Sequence, residues 1–369
     1  MIKQRFGVGF VGLQPGRSWG AIAHVPALRA LPDDFEIIGV ANTSRASAEA
    51  AAAACGIPRA FADLAELVAS PEVDIVAVTV KVPYHFEIVT AAIEAGKHVY
   101  CEWPLGNGLA EAEKLADLAR TKGVLGVIGT QARAAPEIEY LRQLIADGFV
   151  GEVLSTTLIG SGGTWGSEVN QANAYVLDRA NGATMLTIPF GHTMAAVQDV
   201  LDEVAELSAR LANRRTSARV IETGETRPMT AHDQVLIEGV LARGAPISIH
   251  YRGGSPRGTG FLWEINGSEG DIQVTGASGQ AQLAQLTLQG ARGGDRDLRP
   301  LPVPEAYSSG WPEAVIPRNV ARVYARMAAD LRNGTRTAPI FDDAVDLHRL
   351  IAAVEKAADS GCRVAPGNL

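Results

Sequence analysis

The sequence predicts an α/β region with a doubly wound parallel sheet, followed by an α+β region built on a large, mostly antiparallel open sheet. A chain of 369 residues exceeds what one hydrophobic core usually supports. Apolar runs alternate with helical segments up to about residue 130, and strand-like segments then follow one another with few helices between them. We therefore expect two domains, at residues 1–131 and 132–369.

The N-terminal part alternates between strand and helix. Residues 6–12 (F-G-V-G-F-V-G) form an apolar run that ends in glycine, and residues 21–30 have helical spacing. Residues 36–41 predict a second strand, and the alanine-rich segment 46–55 predicts a helix that ends at Gly56. Further strands are predicted at 74–80, 98–101 and 125–129, with helices at 86–95 and 109–121. This alternation is typical of a parallel, doubly wound sheet.

The C-terminal part begins with a predicted helix at 137–146 and continues mainly as strands. The strands are predicted at 152–159, 203–211, 234–241, 247–251, 260–266 and 281–288. Residues 289–299 (Q-G-A-R-G-G-D-R-D-L-R) predict an exposed loop. Helical periodicity returns at 319–331 and 343–359. The C-terminal domain is therefore expected to be α+β.

Composition and charge exclude several classes of function. A net charge of -8 argues against direct binding of nucleic acid, because phosphate backbones are bound through clustered Lys and Arg. The three cysteines have no C-x-x-C spacing, so we expect neither a disulfide framework nor a metal site. The sequence shows no signal peptide and no apolar run long enough for a membrane. We therefore expect a cytoplasmic protein in a reducing compartment.

The turn after the first strand carries glycines that suit a phosphate site. It reads G-L-Q-P-G-R-S-W-G-A from residue 12, and backbone N–H groups at such a turn can approach a pyrophosphate. It is not a clean G-x-G-x-x-G, because Gln14 stands where the second glycine would fall. The alternative is a surface loop without a nucleotide. The candidate dinucleotide contacts of this Rossmann-type turn are Gly12, Leu13, Gln14, Ser18, Trp19 and Gly20.

The end of the second strand favours NADP over NAD. An acidic residue there would accept the ribose 2'-OH of NAD, but the sequence offers Asn42-Thr43-Ser44-Arg45. Small polar and basic side chains suit a 2'-phosphate, and we take Asn42, Ser44 and Arg45 as candidate contacts. NAD remains an alternative cofactor. An ordinary helix N-cap at Ser44 would explain the same residues without any ligand.

Two motifs resemble those of the Gfo/Idh/MocA oxidoreductase family. Residues 81–85 read K-V-P-Y-H, and residues 95–104 read A-G-K-H-V-Y-C-E-W-P, where the family usually has A-G-K-H-V-x-C-E-K-P. Trp103 stands in the place of the lysine that the family uses beside the nicotinamide. An indole cannot act as an acid or base there. In a later motif that resembles the family's, this sequence keeps the histidine as His192, but Ile188 stands where the family usually has an aspartate.

The resemblance implies a set of site residues. His192 is the candidate catalytic group, because an imidazole tuned near neutrality can take up a hydroxyl proton, and the alternates are Tyr175 and Lys81. The remaining cofactor contacts that the resemblance implies are Val80, Lys81, Val82, His85, Glu102, Trp103 and Gln131. The implied substrate contacts are Trp103, Arg133, Trp165 and His192. For His192 and His85, a purely structural role is the alternative.

The chain is also similar to a fungal branch of the family that represses a galactose regulon. That branch likewise has E-W near the nicotinamide and F-G-H-T later, and the similarity extends to residues 148–152, 162–166 and 267–271. The resemblance leaves two functions open: an NAD(P)-dependent oxidoreductase that acts on a CH–OH group of a carbohydrate, or a catalytically silent, NADP-sensing regulator that binds a protein partner. It also implies a homodimer or homotetramer.

Overall fold

The computed structural model describes residues 5–369 and divides them into two compact units. The first unit contains the residues up to 131 together with 310–346, and the second contains 132–309 together with 347–369. The first is built on a six-stranded sheet and the second on an eight-stranded sheet. Within the described residues, no helix is both long and apolar enough to cross a membrane. The prediction of a doubly wound sheet joined to a mostly antiparallel one is confirmed.

The sheet of the first unit is parallel throughout. Its order is β3-β2-β1-β4-β5-β6, with strands at Phe6–Val11, Phe35–Ala41, Arg59–Ala60, Ile75–Val78, His98–Glu102 and Gly126–Gly129 for β1 to β6. The chain builds outward in one direction through β2 and β3, and then in the other through β4 to β6. The strand order thus reverses between β1 and β4, and in folds of this kind ligands bind outside the carboxyl ends of the strands at such a point.

Five helices of the first unit connect these strands. They are α1 Val25–Arg29, α2 Arg45–Cys55, α3 Leu64–Ala69, α4 His85–Glu94 and α5 Leu109–Lys122. A π-helical turn, Gly20–His24, precedes α1, where the sequence predicted one regular helix. Such turns accommodate an extra residue and occur frequently at functional sites. Gly56 ends α2 in the left-handed conformation, with a φ of 59°, as predicted.

The eight-stranded sheet of the second unit is antiparallel except for one pair. Its order is β17-β16-β15-β14-β7-β13-β12-β9, and only β13 and β7 run parallel. A separate three-stranded sheet has the order β11-β10-β8. Strands β7 to β17 are Val153–Gly162, Glu168–Val169, Val204–Ala212, Ser217–Val220, Thr226–Pro228, Gln234–Leu241, Pro246–Gly253, Phe261–Gly267, Gly270–Gly276, Thr287–Arg292 and Arg299–Pro300.

Five further helices complete the described fold. They are α6 Pro136–Ala146, α7 Gly191–Val200, α8 Glu305–Ser308, α9 Val315–Asn333 and α10 Phe341–Ser360. Helix α9 belongs to the first unit and packs against α1. After α9, the backbone reaches the free edge of the parallel sheet, where the Ile128 N–H donates to the Pro339 carbonyl at 2.9 Å.

Two predictions for the C-terminal part are wrong. Residues 281–286 form no strand, and the strand in this region is β16, Thr287–Arg292, so the predicted loop at 289–299 begins inside it. The glycine-rich composition of the segment suggested a loop. Pairing with β15 over six residues overrides this weak local preference, as tertiary context commonly does for strands.

Candidate cofactor-binding site

The turn after β1 brings its backbone close to the end of β4. Gly12 has a φ of 88°, which favours glycine, and a Cβ at this position would overlap the Val80 side chain. The Gly12 N–H donates to the Ala41 carbonyl at 3.1 Å, and the Thr79 hydroxyl donates to the Gly12 carbonyl at 2.9 Å. The turn is therefore fixed between β2 and β4, at the point where the strand order reverses.

The hydroxyl of Ser18 organises the rest of this turn. Its oxygen accepts from the Gln14 N–H at 2.8 Å and the Ala21 N–H at 3.3 Å, and its proton goes to the Gln14 carbonyl at 2.9 Å. Two backbone donors that could face an anion are thus held by a side-chain oxygen of the turn itself. Trp19 follows, and its buried Nε1 has no acceptor within residues 5–369.

Asn42 joins the turn to α2 instead of pointing outward. Its Oδ1 accepts from the Leu13 N–H at 2.8 Å, and its Nδ2 donates to the carbonyls of Leu13 and Ser47, at 2.9 and 3.1 Å. Ser44 is the N-cap of α2, with its oxygen accepting from the Ser47 N–H at 3.2 Å. Arg45 is exposed and pairs with Glu49 one turn later, at 3.0 Å. None of residues 42–45 carries a carboxylate.

His85 connects the end of β4 to the E-W-P segment. Its ring nitrogens lie 2.7 Å from the Pro104 carbonyl and 3.1 Å from the Val80 carbonyl. Burial lowers the pKa of His85, although both carbonyls oppose this shift. A neutral imidazole can donate to only one of the two carbonyls. Val82 is buried, whereas Lys81 is exposed.

A buried polar chain lies at the carboxyl ends of β5 and β6. The Oε1 atom of Glu102 is 2.8 Å from His24 Nε2 and accepts from Gln131 Nε2 at 2.7 Å. The other ring nitrogen of His24 is 2.9 Å from the Tyr324 hydroxyl, and Gln131 Nε2 is 3.4 Å from the Tyr100 hydroxyl. His24 is fully buried, and the Glu102 side chain is 12% exposed. We call the series Tyr324–His24–Glu102–Gln131 the buried chain.

The first unit thus carries the predicted cofactor contacts at five strand ends, those of β1, β2, β4, β5 and β6. Trp103 follows Glu102 directly and is 4% exposed, so an aromatic side chain, not a cation, occupies this position. Sequence reasoning missed His24 and Tyr324. His24 lies four residues after Gly20 in the turn motif, which is a signal that could have been found. Tyr324 lies 300 residues away from His24, and no local pattern marks it.

Lys97, in the A-G-K-H motif, has a structural role. Its Nζ donates to the carbonyls of Ser70 and Val73, each at 2.8 Å. Asp74, the next residue along, accepts from the Gly7 N–H at 2.7 Å. These bonds fix the loop that enters β4, so this part of the motif supports the sheet.

The other predicted residues lie in the second unit. His192 is the second residue of α7, is 4% exposed and follows a π-helical turn, Leu186–Phe190, that contains Ile188. The Trp165 Nε1 donates to the Val176 carbonyl at 3.1 Å. Arg133 forms an ion pair with Asp199 at 3.1 Å.

Tyr175, also in the second unit, is half-buried. Burial raises the pKa of its phenol, so it holds its proton more firmly than a free tyrosine does.

Comparisons with known proteins agree with this architecture. A family model described as an oxidoreductase family with an NAD-binding Rossmann fold, GFO_IDH_MocA, matches residues 6–130. A second model, described as the C-terminal domain of Gal80p, matches residues 136–276.

Curated relatives include both a regulator and dehydrogenases. The galactose/lactose metabolism regulatory protein GAL80 of Saccharomyces cerevisiae is 27% identical over 98% of this chain and 94% of its own length. The dehydrogenase aclE of Aspergillus oryzae is 29% identical over 98% of both chains. A structure of a Saccharomyces cerevisiae Gal80p super-repressor mutant aligns with a TM-score of 0.90, at 25% identity over 98% of each chain.

A structure of levoglucosan dehydrogenase in complex with NADH and L-sorbose has a TM-score of 0.85. Its identity is 21% over 98% of this chain and 99% of its own, so this likeness concerns the fold alone. The chain thus matches the NAD-binding Rossmann domain of the Gfo/Idh/MocA oxidoreductase family in residues 6–130 and the C-terminal domain of Gal80p in residues 136–276.

Proposed function

We propose that this protein is an NADP-dependent oxidoreductase that acts on a CH–OH group of a sugar, polyol or related carbohydrate. The observation that carries the proposal is the arrangement of residues at the carboxyl edge of the parallel sheet. The glycine turn lies where the strand order reverses, between β1 and β4, and the Glu102–Trp103 segment and Gln131 lie at the ends of β5 and β6. A bound nicotinamide ring would supply the hydride acceptor, and the residues of the chain would position it and handle the proton.

The preference for NADP rests on the end of β2. Asn42 is bound to backbone groups on both sides, and no carboxylate stands at 42–45 to accept from a ribose 2'-OH. The hydroxyl of Ser44 uses its oxygen as a cap and keeps its proton for a phosphate oxygen. Arg45 is exposed on the first turn of α2, and its surface pair with Glu49 is weak enough to exchange for a phosphate.

The proton step needs a group other than the family's lysine, because Trp103 stands in that lysine's place. We propose His192 for this role, because an imidazole can accept the hydroxyl proton while hydride leaves the same carbon. Tyr175 and Lys81 are the alternates, although burial raises the pKa of Tyr175 and disfavours it as a base. Trp103 would present an aromatic face to the nicotinamide or the sugar ring. Trp165 and Arg133 stay proposed substrate contacts.

The test combines cofactor binding with turnover on a panel of sugars, polyols and their keto forms. We expect saturable NADPH binding and a change in cofactor absorbance with at least one panel member. We further expect His192→Ala to lose at least a hundredfold in kcat while NADPH affinity changes little. Turnover that His192→Ala leaves intact would overturn the assigned role.

A catalytically silent, NADP-sensing regulator is the second candidate. The substitutions at Trp103 and Ile188 favour it, because two groups that the family uses for chemistry are absent. GAL80, which is a regulatory protein, aligns over nearly the whole chain. Tight NADPH binding without turnover on any panel member would support this candidate, and the function would then lie in a protein partner that binds differently to the loaded and empty forms.

We also propose that the protein forms a homodimer or homotetramer through the open face of the eight-stranded sheet. Leu236 and Val240 lie on the same face of β12 and are 41% and 37% exposed. Light scattering would give the mass of the assembly in solution. We expect Leu236→Asp to reduce it, and a wild-type mass of one chain would contradict the proposal.

A further inference from the structure

The amide of Gln131 has a chemically fixed orientation. Its Nε2 faces Glu102 Oε1 at 2.7 Å and the Tyr100 hydroxyl at 3.4 Å. A carboxylate only accepts hydrogen bonds, so the NH₂ end of the amide must lie on this side. The carbonyl end, Oε1, therefore lies on the other side. A reversed amide would place two acceptors against each other in a buried site.

The buried chain keeps Glu102 in place for this contact. The carboxylate accepts a hydrogen bond from His24 Nε2, and the other ring nitrogen, Nδ1, is held 2.9 Å from the Tyr324 hydroxyl. Burial raises the pKa of Tyr324 well above its usual range, so its phenol remains protonated. The hydrogen bonds of Tyr324–His24–Glu102–Gln131 thus converge on Glu102, whose Oε1 accepts from His24 on one side and from Gln131 on the other.

The chain leaves one acceptor at its far end. The Gln131 side chain is 1% exposed, and its Oε1 atom is fully buried. This oxygen nevertheless receives no hydrogen bond from any of residues 5–369. The hydroxyl of the preceding residue, Thr130, is also buried without a partner in the described residues. Buried carbonyl and hydroxyl groups in folded proteins nearly always have a hydrogen-bond partner. The Gln131 Oε1 atom therefore requires a hydrogen-bond donor that the described residues do not supply.

The location of this acceptor matches one part of a dinucleotide. Gln131 follows β6, in the half of the sheet formed by β4, β5 and β6. A doubly wound fold consists of two mononucleotide-binding halves, and the glycine turn with the 2'-phosphate candidates lies in the other half. The nicotinamide nucleotide then falls to this one, and its carboxamide carries an NH₂ donor.

We propose that the Gln131 carbonyl accepts a hydrogen bond from the carboxamide NH₂ of the nicotinamide, and that Tyr324, His24 and Glu102 are positioning residues that hold Gln131 for it. This inference rests on the proposed binding of NADP and adds the residue that recognises its nicotinamide end. It holds for the enzyme and the regulator alike, since it concerns binding and requires no turnover.

The test compares NADP⁺ with its 3-acetylpyridine analogue, in which a methyl group replaces the NH₂. We expect the wild-type protein, studied by titration calorimetry, to bind NADP⁺ about tenfold more tightly, as one hydrogen bond to a buried acceptor would give. In Gln131→Met, which keeps the length of the side chain without an acceptor, the ratio of the two dissociation constants should fall to about one. Gln143→Met, the same change at an exposed glutamine of α6, should keep the wild-type ratio.

Glu102→Gln tests the positioning role at nearly constant volume. A glutamine at 102 can both donate and accept, so it no longer forces the Gln131 amide into one orientation, and the ratio should fall about threefold. A ratio cancels any general loss of affinity or stability, which a merely structural residue would cause. Wild-type binding with a ratio near one, or a ratio that neither variant lowers, would overturn this inference alone. If the wild-type protein binds neither dinucleotide, the proposed function fails instead.

Discussion

In the two halves of the parallel sheet of the first unit, the polar side chains at the strand ends find different kinds of hydrogen-bond partner. At the ends of β1 and β2, the side chains of Ser18, Asn42 and Ser44 bind backbone groups of neighbouring loops and lie near the surface. At the ends of β5 and β6, the polar groups bind one another inside the core, in the chain from Tyr324 to Gln131. The first half holds short turns, whereas the second joins distant parts of the sequence.

This difference has an energetic consequence. Water can replace a lost hydrogen bond at the exposed half, so removing one side chain there should cost little. At the buried half, removal of one partner leaves a charge or a polar atom without compensation, and the cost rises severalfold. Stability measurements on single variants should therefore separate the two halves.

The largest effect is expected at His24. In His24→Leu, the buried carboxylate of Glu102 loses its ion-pair partner and keeps only the hydrogen bond from Gln131, and we expect the free energy of unfolding to fall by about 3 kcal/mol. Urea denaturation at neutral pH measures this change. Tyr324→Phe removes the hydroxyl, leaves the buried Nδ1 of His24 without this partner and should cost about 2 kcal/mol. If His24→Leu loses no more stability than Tyr324→Phe, the pair between His24 and Glu102 does not stabilise the fold as expected.

A smaller effect is expected at Asp330, which fixes the segment leading from α9 to the edge of β6. Its carboxylate accepts from the Thr335 hydroxyl, from the N–H and hydroxyl of Thr337 and from the Ala338 N–H, at 2.6 to 2.9 Å. Burial favours the neutral acid, but these bonds outweigh it and lower the pKa of Asp330. We expect Asp330→Asn to lose about 2 kcal/mol at pH 7.

The pH dependence of stability gives a second test of Asp330. A lowered folded-state pKa means that the stabilisation is complete above the pKa of the unfolded chain, about 4, and is lost as the pH falls through the folded value. The stability of the wild-type protein should thus decrease more steeply below about pH 5 than that of Asp330→Asn. Parallel curves for the two proteins would contradict this assignment.

At the exposed half, we expect Ser44→Ala to cost about 1 kcal/mol, because α2 loses its N-cap. Denaturation under the same conditions as for His24→Leu gives the comparison directly. Ser47→Ala, one turn into α2, provides the matched control and should change stability by less than about 0.5 kcal/mol. If Ser44→Ala costs as much as His24→Leu, the distinction between the halves is lost.

The smallest effect on stability is expected for Arg45→Ala. The pair between Arg45 and Glu49 is exposed on both sides and should contribute no more than about 0.5 kcal/mol. The affinity for NADPH should nevertheless fall about tenfold, because a phosphate contact is charge-assisted, while the affinity for NADH stays unchanged. Equal losses for the two cofactors would remove Arg45 from the proposed 2'-phosphate site.

Periodicity predicted five of the six strands of the parallel sheet, because each of the five is a short apolar run that alternates with a helix. It did not predict β3, which consists of Arg59 and Ala60 alone. The π-helical turn at Gly20–His24 was missed, since one extra residue leaves the apolar spacing nearly regular. Helix α7 was also missed, because Gly191–Val200 is largely buried and lacks a polar face. The turn residues of the candidate site were predictable from local spacing. The buried chain was not, since His24 and Tyr324 meet only through the packing of α1 on α9.

The central claim is that the first unit binds a nicotinamide dinucleotide and prefers the 2'-phosphorylated form. Titration of the purified protein with NADPH and NADH, followed by the fluorescence of the reduced ring, tests it most directly. The account predicts saturable binding of both, with NADPH bound at least tenfold more tightly. Tighter binding of NADH would contradict the assignment of Ser44 and Arg45, and the absence of binding by either cofactor would contradict the account as a whole.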